Sequence, residues 1–154
     1  MKTTNKTLDI TLLLVRVILG VVIFAHGAQK LLGWFGGYGF EGTMGYFTGV
    51  IGLPYIFGFL IIIAESLGMI ALIFGLLSRV VSGALILIML GAAASHAKFG
   101  FFMNWFGAQP GEGVEYHILV IALSAVIVLL GAGAYSLDRV LLSRWFARNT
   151  QTTM

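Results

Sequence analysis

A bundle of four membrane-crossing helices, all-α and with both termini in the cytoplasm, is the fold this sequence predicts. Three observations lead to it. The 154 residues are 59% hydrophobic and only 10% charged, with a mean hydropathy of +1.01. Nine basic and six acidic side chains cannot cover that much apolar surface in water. Four apolar stretches, at about residues 10–32, 54–77, 80–97 and 116–137, each reach the roughly 20 residues of helix that cross a bilayer core. Finally, the basic residues are uneven. With four spans, Lys2, Lys6, Arg16, Arg79, Arg139, Arg144 and Arg148 fall on one side, and only Lys30 and Lys98 on the other. The positive-inside rule then places both termini in the cytoplasm. One domain, residues 1–154, accounts for the chain, with 138–154 as a cytoplasmic tail.

The first span is the most unusual. Lys2 and Lys6 before an apolar run resemble a signal peptide, but the run contains Arg16 and continues through Leu32, longer than a signal core. An uncleaved span is therefore expected. At about 100° per residue, Arg16, His26 and Lys30 share roughly a quarter of the helix surface, while Leu14, Val17, Ile18, Val21, Ala25 and Leu32 face lipid. Charges at mid-membrane cost about 2.5–3.5 kcal/mol each on insertion scales. The polar face must meet protein, water or a ligand.

Pro54 suits the first turn of the second span, where its missing N–H costs nothing. The short Leu77-Ser78-Arg79 turn predicts that spans two and three form an antiparallel hairpin. Outer loops 33–53 and 98–115 mix glycine with Trp34, Phe35, Tyr38, Phe40, Tyr46, Phe47, Phe101, Phe102, Trp105 and Phe106, a composition suited to the headgroup level. A short interfacial helix is expected over 41–51. Residues 138–148, with Leu141, Trp145 and Phe146 among arginines, read either as a helix on anionic lipid or as an extension of the last span.

Glu65 stands midway along the second span, and a lone carboxylate there either pairs or takes up a proton. Arg16 is the partner the sequence suggests, so one reading is a structural Arg16–Glu65 ion pair. The other makes Glu65 a proton-carrying or ligand-binding group. The three histidines, His26, His96 and His117, fall near one membrane level on three spans, with Gln29, Lys30, Lys98, Glu112 and Glu115 nearby. They serve as helix-end groups reaching for water, as a site for a polar, quinone-like ring with Glu65 or Glu115 handling a proton, or as ligands to a metal or b-type haem. The metal reading ranks last, because no Glu-x-x-His or His-x-x-x-His helical pair is present. The ligand-binding candidates are thus His26, Gln29, Lys30, Glu65, His96, Glu115 and His117, with Glu65 and His96 as catalytic candidates and no metal assigned. The chain has no cysteine, which excludes disulfides, thiolate-ligated clusters and thiol relays. It has no P-loop or dinucleotide fingerprint either, and its charge serves topology rather than nucleic acid.

Taken together, Arg16 and His26-Gly27-x-Gln29-Lys30-Leu31, then Gly52-Leu53-Pro54, resemble the opening of the DoxX family of small bacterial membrane proteins. Further matches are Glu65-x-x-Gly68, Gly75-Leu76-x-Ser78-Arg79, His96-x-x-x-Gly100-Phe101-Phe102, Gly113-x-Glu115-Tyr116 and Ser136-Leu137-Asp138-Arg139. Met69 stands where a second glycine would be expected, a departure that touches packing. The resemblance implies a four-helix bundle in the bacterial cytoplasmic membrane that takes part in quinone-linked or oxidative-stress redox processes as a subunit or partner. Its implied partners are the bilayer, a membrane or soluble redox protein, and a further copy of the chain; quinone is the first cofactor reading and b-type haem the second. The competing class is a non-catalytic assembly factor or small-solute permeation protein.

Overall fold

A computed structural model describes residues 5–141 and 143. Helix α1, Lys6–Leu32, is opened by Asn5, whose side chain accepts from the Leu8 N–H at 3.3 Å, and is closed by Gly33 in the left-handed region. A 3₁₀ turn at Trp34–Gly36 leads to the short helix α2, Gly39–Gly45, which widens into a π turn at Tyr46–Val50. The second span runs Tyr55–Phe74. It comprises α3 (Tyr55–Ile63), a π turn at Ala64–Gly68 and α4 (Met69–Phe74). Helix α5 is Ser78–His96, and α6 is Glu115–Leu130. Pro54 stands just before α3. The 41–51 stretch, expected to be helical, forms α2 and its π turn. The proposed lipid-facing tail helix falls largely outside the described residues.

The chain is an all-α membrane bundle. Leu19 and Ile23 of α1, Met69 and Leu72 of α4, Leu85 and Met89 of α5, and Val120 and Ile127 of α6 form one core, so all four spans meet. Leu14, Ile18, Val21 and Leu32 lie exposed on the opposite side of α1, as lipid-facing residues should. Helix α1 runs antiparallel to the second span in a fixed register. Gly27 lies against the Glu65 backbone, Gly20 against Met69 and Ile73, and Arg16 against Gly75. A Cβ on Gly27 would overlap the Glu65 carbonyl, so this contact requires glycine.

That register corrects the expected Arg16–Glu65 ion pair. Eleven residues of helix, about 16 Å, separate Arg16 from Gly27, the residue that faces Glu65. Arg16 is fully buried at the other end of the bundle, where its guanidinium donates to the Tyr135 carbonyl at 2.6 Å. Glu65 pairs instead with Lys30.

The fourth span also differs from its expected 116–137. Its 16 residues rise about 24 Å, because Gly131 and Gly133 adopt φ of 85° and 77° and break the helix. The unwound segment is held by charged groups of the other helices. Asp9 accepts from the Ala134 N–H at 2.7 Å, Arg16 donates to Tyr135, and Arg79 donates to the Leu129 carbonyl at 3.3 Å. Beyond it, the Asp138 carboxylate accepts from the Leu77 and Ser78 N–H groups at 2.7 and 2.9 Å, capping α5 across the bundle. Leu77 has φ of 51°, a costly backbone for a branched residue, and this cap holds it there. The start of α1, the α4–α5 turn and the segment after α6 therefore share one end of the bundle.

Replacing Gly27 by alanine is expected to lower the thermal midpoint in detergent by several degrees, since overpacking costs about 1–3 kcal/mol. Gly83→Ala, where an added Cβ meets nothing within 4 Å, is expected to leave the midpoint unchanged or slightly raised.

Candidate functional site

The polar residues of the opposite end form two adjacent clusters rather than one pocket. The first is built on the π turn at Ala64–Gly68. A π turn widens the helix by one residue and re-aims the side chains that follow. Here it accompanies close approach to Gly27, and Glu65 is buried beneath the last turns of α1. Ser66 bonds back to the Ile62 carbonyl at 2.6 Å, a local bond that competes with the helix ladder and bends it. Lys30, in the last turn of α1, folds its ammonium onto the Glu65 carboxylate.

The pair is asymmetric. The Glu65 side chain is 4% exposed and that of Lys30 27% exposed. His26 and the phenol of Tyr116 lie within electrostatic reach of the carboxylate, and their rings are 5.8 Å apart. The Tyr116 hydroxyl is buried and has no hydrogen-bond partner among the described residues. On the other side, Lys30 and Gln29 line an open groove of about 640 Å³ whose walls include Tyr38, Thr43, Tyr46 and Phe47. Gln29 donates to the Phe35 carbonyl at 3.3 Å and so ties the loop wall to α1. Gly37 packs so tightly on the Gln29 backbone that a side chain there would collide with it.

The second cluster joins the end of α5 to the start of α6. The rings of His96 and His117 are 5.1 Å apart and tilted by 32°. The Nδ1 of His96 is buried without a hydrogen-bond partner among the described residues, and the His117 side chain lies against the Gly113 and Val114 backbone. His117 is buried, His96 is half-buried, and Phe99 packs on His96 with Lys98 over its ring. Rings this close leave no gap between them for a porphyrin. Among the described residues no three histidine, aspartate or glutamate side chains converge as metal ligands. The clusters touch through Tyr116 and His117, whose rings are 5.9 Å apart.

Glu115, read from sequence as a proton-handling group, accepts from the Met103 N–H at 3.2 Å, while Glu112 accepts from the Asn104 N–H at 2.8 Å. Both shape the 97–114 loop. Of the candidates, the structure brings together His26, Gln29, Lys30 and Glu65, and separately His96 and His117. Sequence reasoning missed Tyr116. Its position beside His117 at the opening of a span was the available signal, but helix phase alone does not show that its ring meets His26 of the first span.

Comparisons with known proteins bear on this arrangement. The DoxX family profile matches residues 11–105, which include Arg16, His26, Lys30, Glu65 and His96. The chain is similar to a Bacillus subtilis (strain 168) protein named "Putative oxidoreductase CatD", with 32% identity over 134 residues, 87% of this chain and 89% of that one. No solved structure gives a significant match.

Removing one partner of a buried ion pair strands the other, at about 3–5 kcal/mol for a fully buried pair. Lys30→Met, which strands the buried Glu65, is expected to destabilise the protein more than Glu65→Gln, which leaves Lys30 free to reach the groove. The double substitution is expected to recover much of the Lys30→Met loss, as measured by unfolding in detergent.

Proposed function

The chain belongs to the DoxX family, and from that premise we propose that it works in quinone-linked or oxidative-stress redox processes, as a subunit or partner of an oxidoreductase. It would do so as a multi-pass protein of the bacterial cytoplasmic membrane, with its basic end inward by the positive-inside rule. The observation that carries this reading is the Lys30–Glu65 pair, within electrostatic reach of the Tyr116 phenol and open to the Tyr38–Tyr46 groove. The name of the relative supports it.

The groove supplies what a small membrane-soluble ring compound needs. Tyr38, Tyr46 and Phe47 offer aromatic surface, while Lys30 and Gln29 offer N–H donors for ring oxygens. Glu65 stands behind Lys30 as a carboxylate able to exchange a proton. His96 and His117 are the second candidate pair, reached through Tyr116. The chain lacks thiols and a nucleotide fingerprint, so electrons would pass to or from a partner protein, membrane-bound or soluble. A further copy of the chain is a third partner in this reading.

A short-chain benzoquinone and its quinol, titrated into the protein in lipid nanodiscs, test the proposal. Wild type is expected to bind, with affinity altered about tenfold or more by Glu65→Gln or His96→Ala. If neither change alters binding or redox activity while both variants stay folded, the site assignment fails. Loss of a partner complex in Glu65→Gln membranes without a redox effect would favour an assembly role.

A further inference from the structure

The ion pair at the groove wall is not symmetric toward a ligand, and that asymmetry says which form of a ligand the site selects. Anything entering the groove meets Lys30 first, because Glu65 lies behind it and is nearly sealed from solvent. A neutral carbonyl oxygen can accept from a spare N–H of the ammonium but cannot draw it off a carboxylate in a low-dielectric setting. An anionic oxygen can. Once Lys30 turns toward that anion, Glu65 is left as a buried carboxylate without its counter-charge, a state that takes up a proton.

We propose that the groove binds a small aromatic hydroxyl compound as its phenolate on Lys30, the phenolic proton passing to Glu65. This rests on the functional reading above and narrows its substrate class to the deprotonated, reduced ring. The balance is simple: the ligand's O–H bond breaks, an O–H bond forms on a Glu65 carboxylate oxygen, and no electron moves. The net charge of the site is unchanged, as a site near hydrocarbon requires. The groups around Glu65 permit the exchange. Helix α1 presents Lys30 and α5 presents aliphatic Val81 to the π turn, while His26 and the Tyr116 phenol lie within electrostatic reach of the carboxylate. The Lys30 side chain, partly exposed at the groove, has room to move between the two oxygens.

The test uses 4-nitrophenol, whose phenolate is yellow and whose phenol is not, added to the full-length protein in nanodiscs at a pH where the free probe is colourless. Wild type is expected to turn yellow on binding without releasing a proton to the weakly buffered medium. Glu65→Gln is expected to bind the phenolate and release one proton per probe, since its acceptor is gone. Lys30→Met is expected to weaken phenolate binding about 30-fold or more and serves as the control for partition into lipid. Probe bound by wild type as the colourless phenol, or yellow colour retained in Lys30→Met, overturns the proposal. So does equal proton release by wild type and Glu65→Gln. Benzoquinone titrated in parallel separates the two claims. Quinone binding without phenolate formation removes the anion selection and leaves the functional reading standing, whereas no binding of either probe removes both.

Discussion

A backbone immersed in hydrocarbon has no water to bond, so each broken turn of helix must be repaired by another part of the protein. Helix α6 stops at Leu130, short of a full crossing, and the residues after it are not helical until Leu137. Asp9, Arg16 and Arg79 supply the missing partners to Ala134, Tyr135 and Leu129. Asp138 repays the arrangement by capping α5. Charged residues that look misplaced in an apolar chain thereby become the fastening of one end of the bundle. With that end fixed, the antiparallel register of α1 against the second span follows, and so does the position of Glu65 at the other end.

The two ends use charge for different purposes. At the basic end, acidic and basic side chains bond mainly to backbone, and their geometry leaves little to exchange. At the opposite end, Lys30 and Glu65 bond to each other, and one partner borders an open groove. A pair whose members can each find another proton or another anion is suited to ligand exchange. The π turn at Ala64–Gly68 and the bare face of Gly27 make that pair reachable, by bringing the two helices close where the carboxylate projects.

Much of this was legible from residues alone, and the misses share a cause. Arg16, Glu65 and Lys30 all announce themselves as charges within apolar stretches. Choosing which two pair requires the offset between two antiparallel helices, and apolar periodicity does not encode that offset. The cue existed in Gly27 and Gly20, small residues on one face, but small residues are spread through every span and do not name their partners. Glu115 shows a related limit: a carboxylate opening a span carries no sign in the sequence of the loop N–H that bonds to it.

The sequence by itself determined the solvent, the helix class, the four apolar stretches and the uneven distribution of basic charge, because burial of apolar surface is a property of composition and spacing. Tertiary structure decided which charges meet. It set Lys30 rather than Arg16 on Glu65, divided the polar residues into two touching clusters and ended the fourth span early. Those outcomes depend on the close backbone contact at Gly27, on the room Gly75 leaves for the Arg16 guanidinium and on two glycines in the left-handed region, and such contacts exist only once separate helices have been brought together.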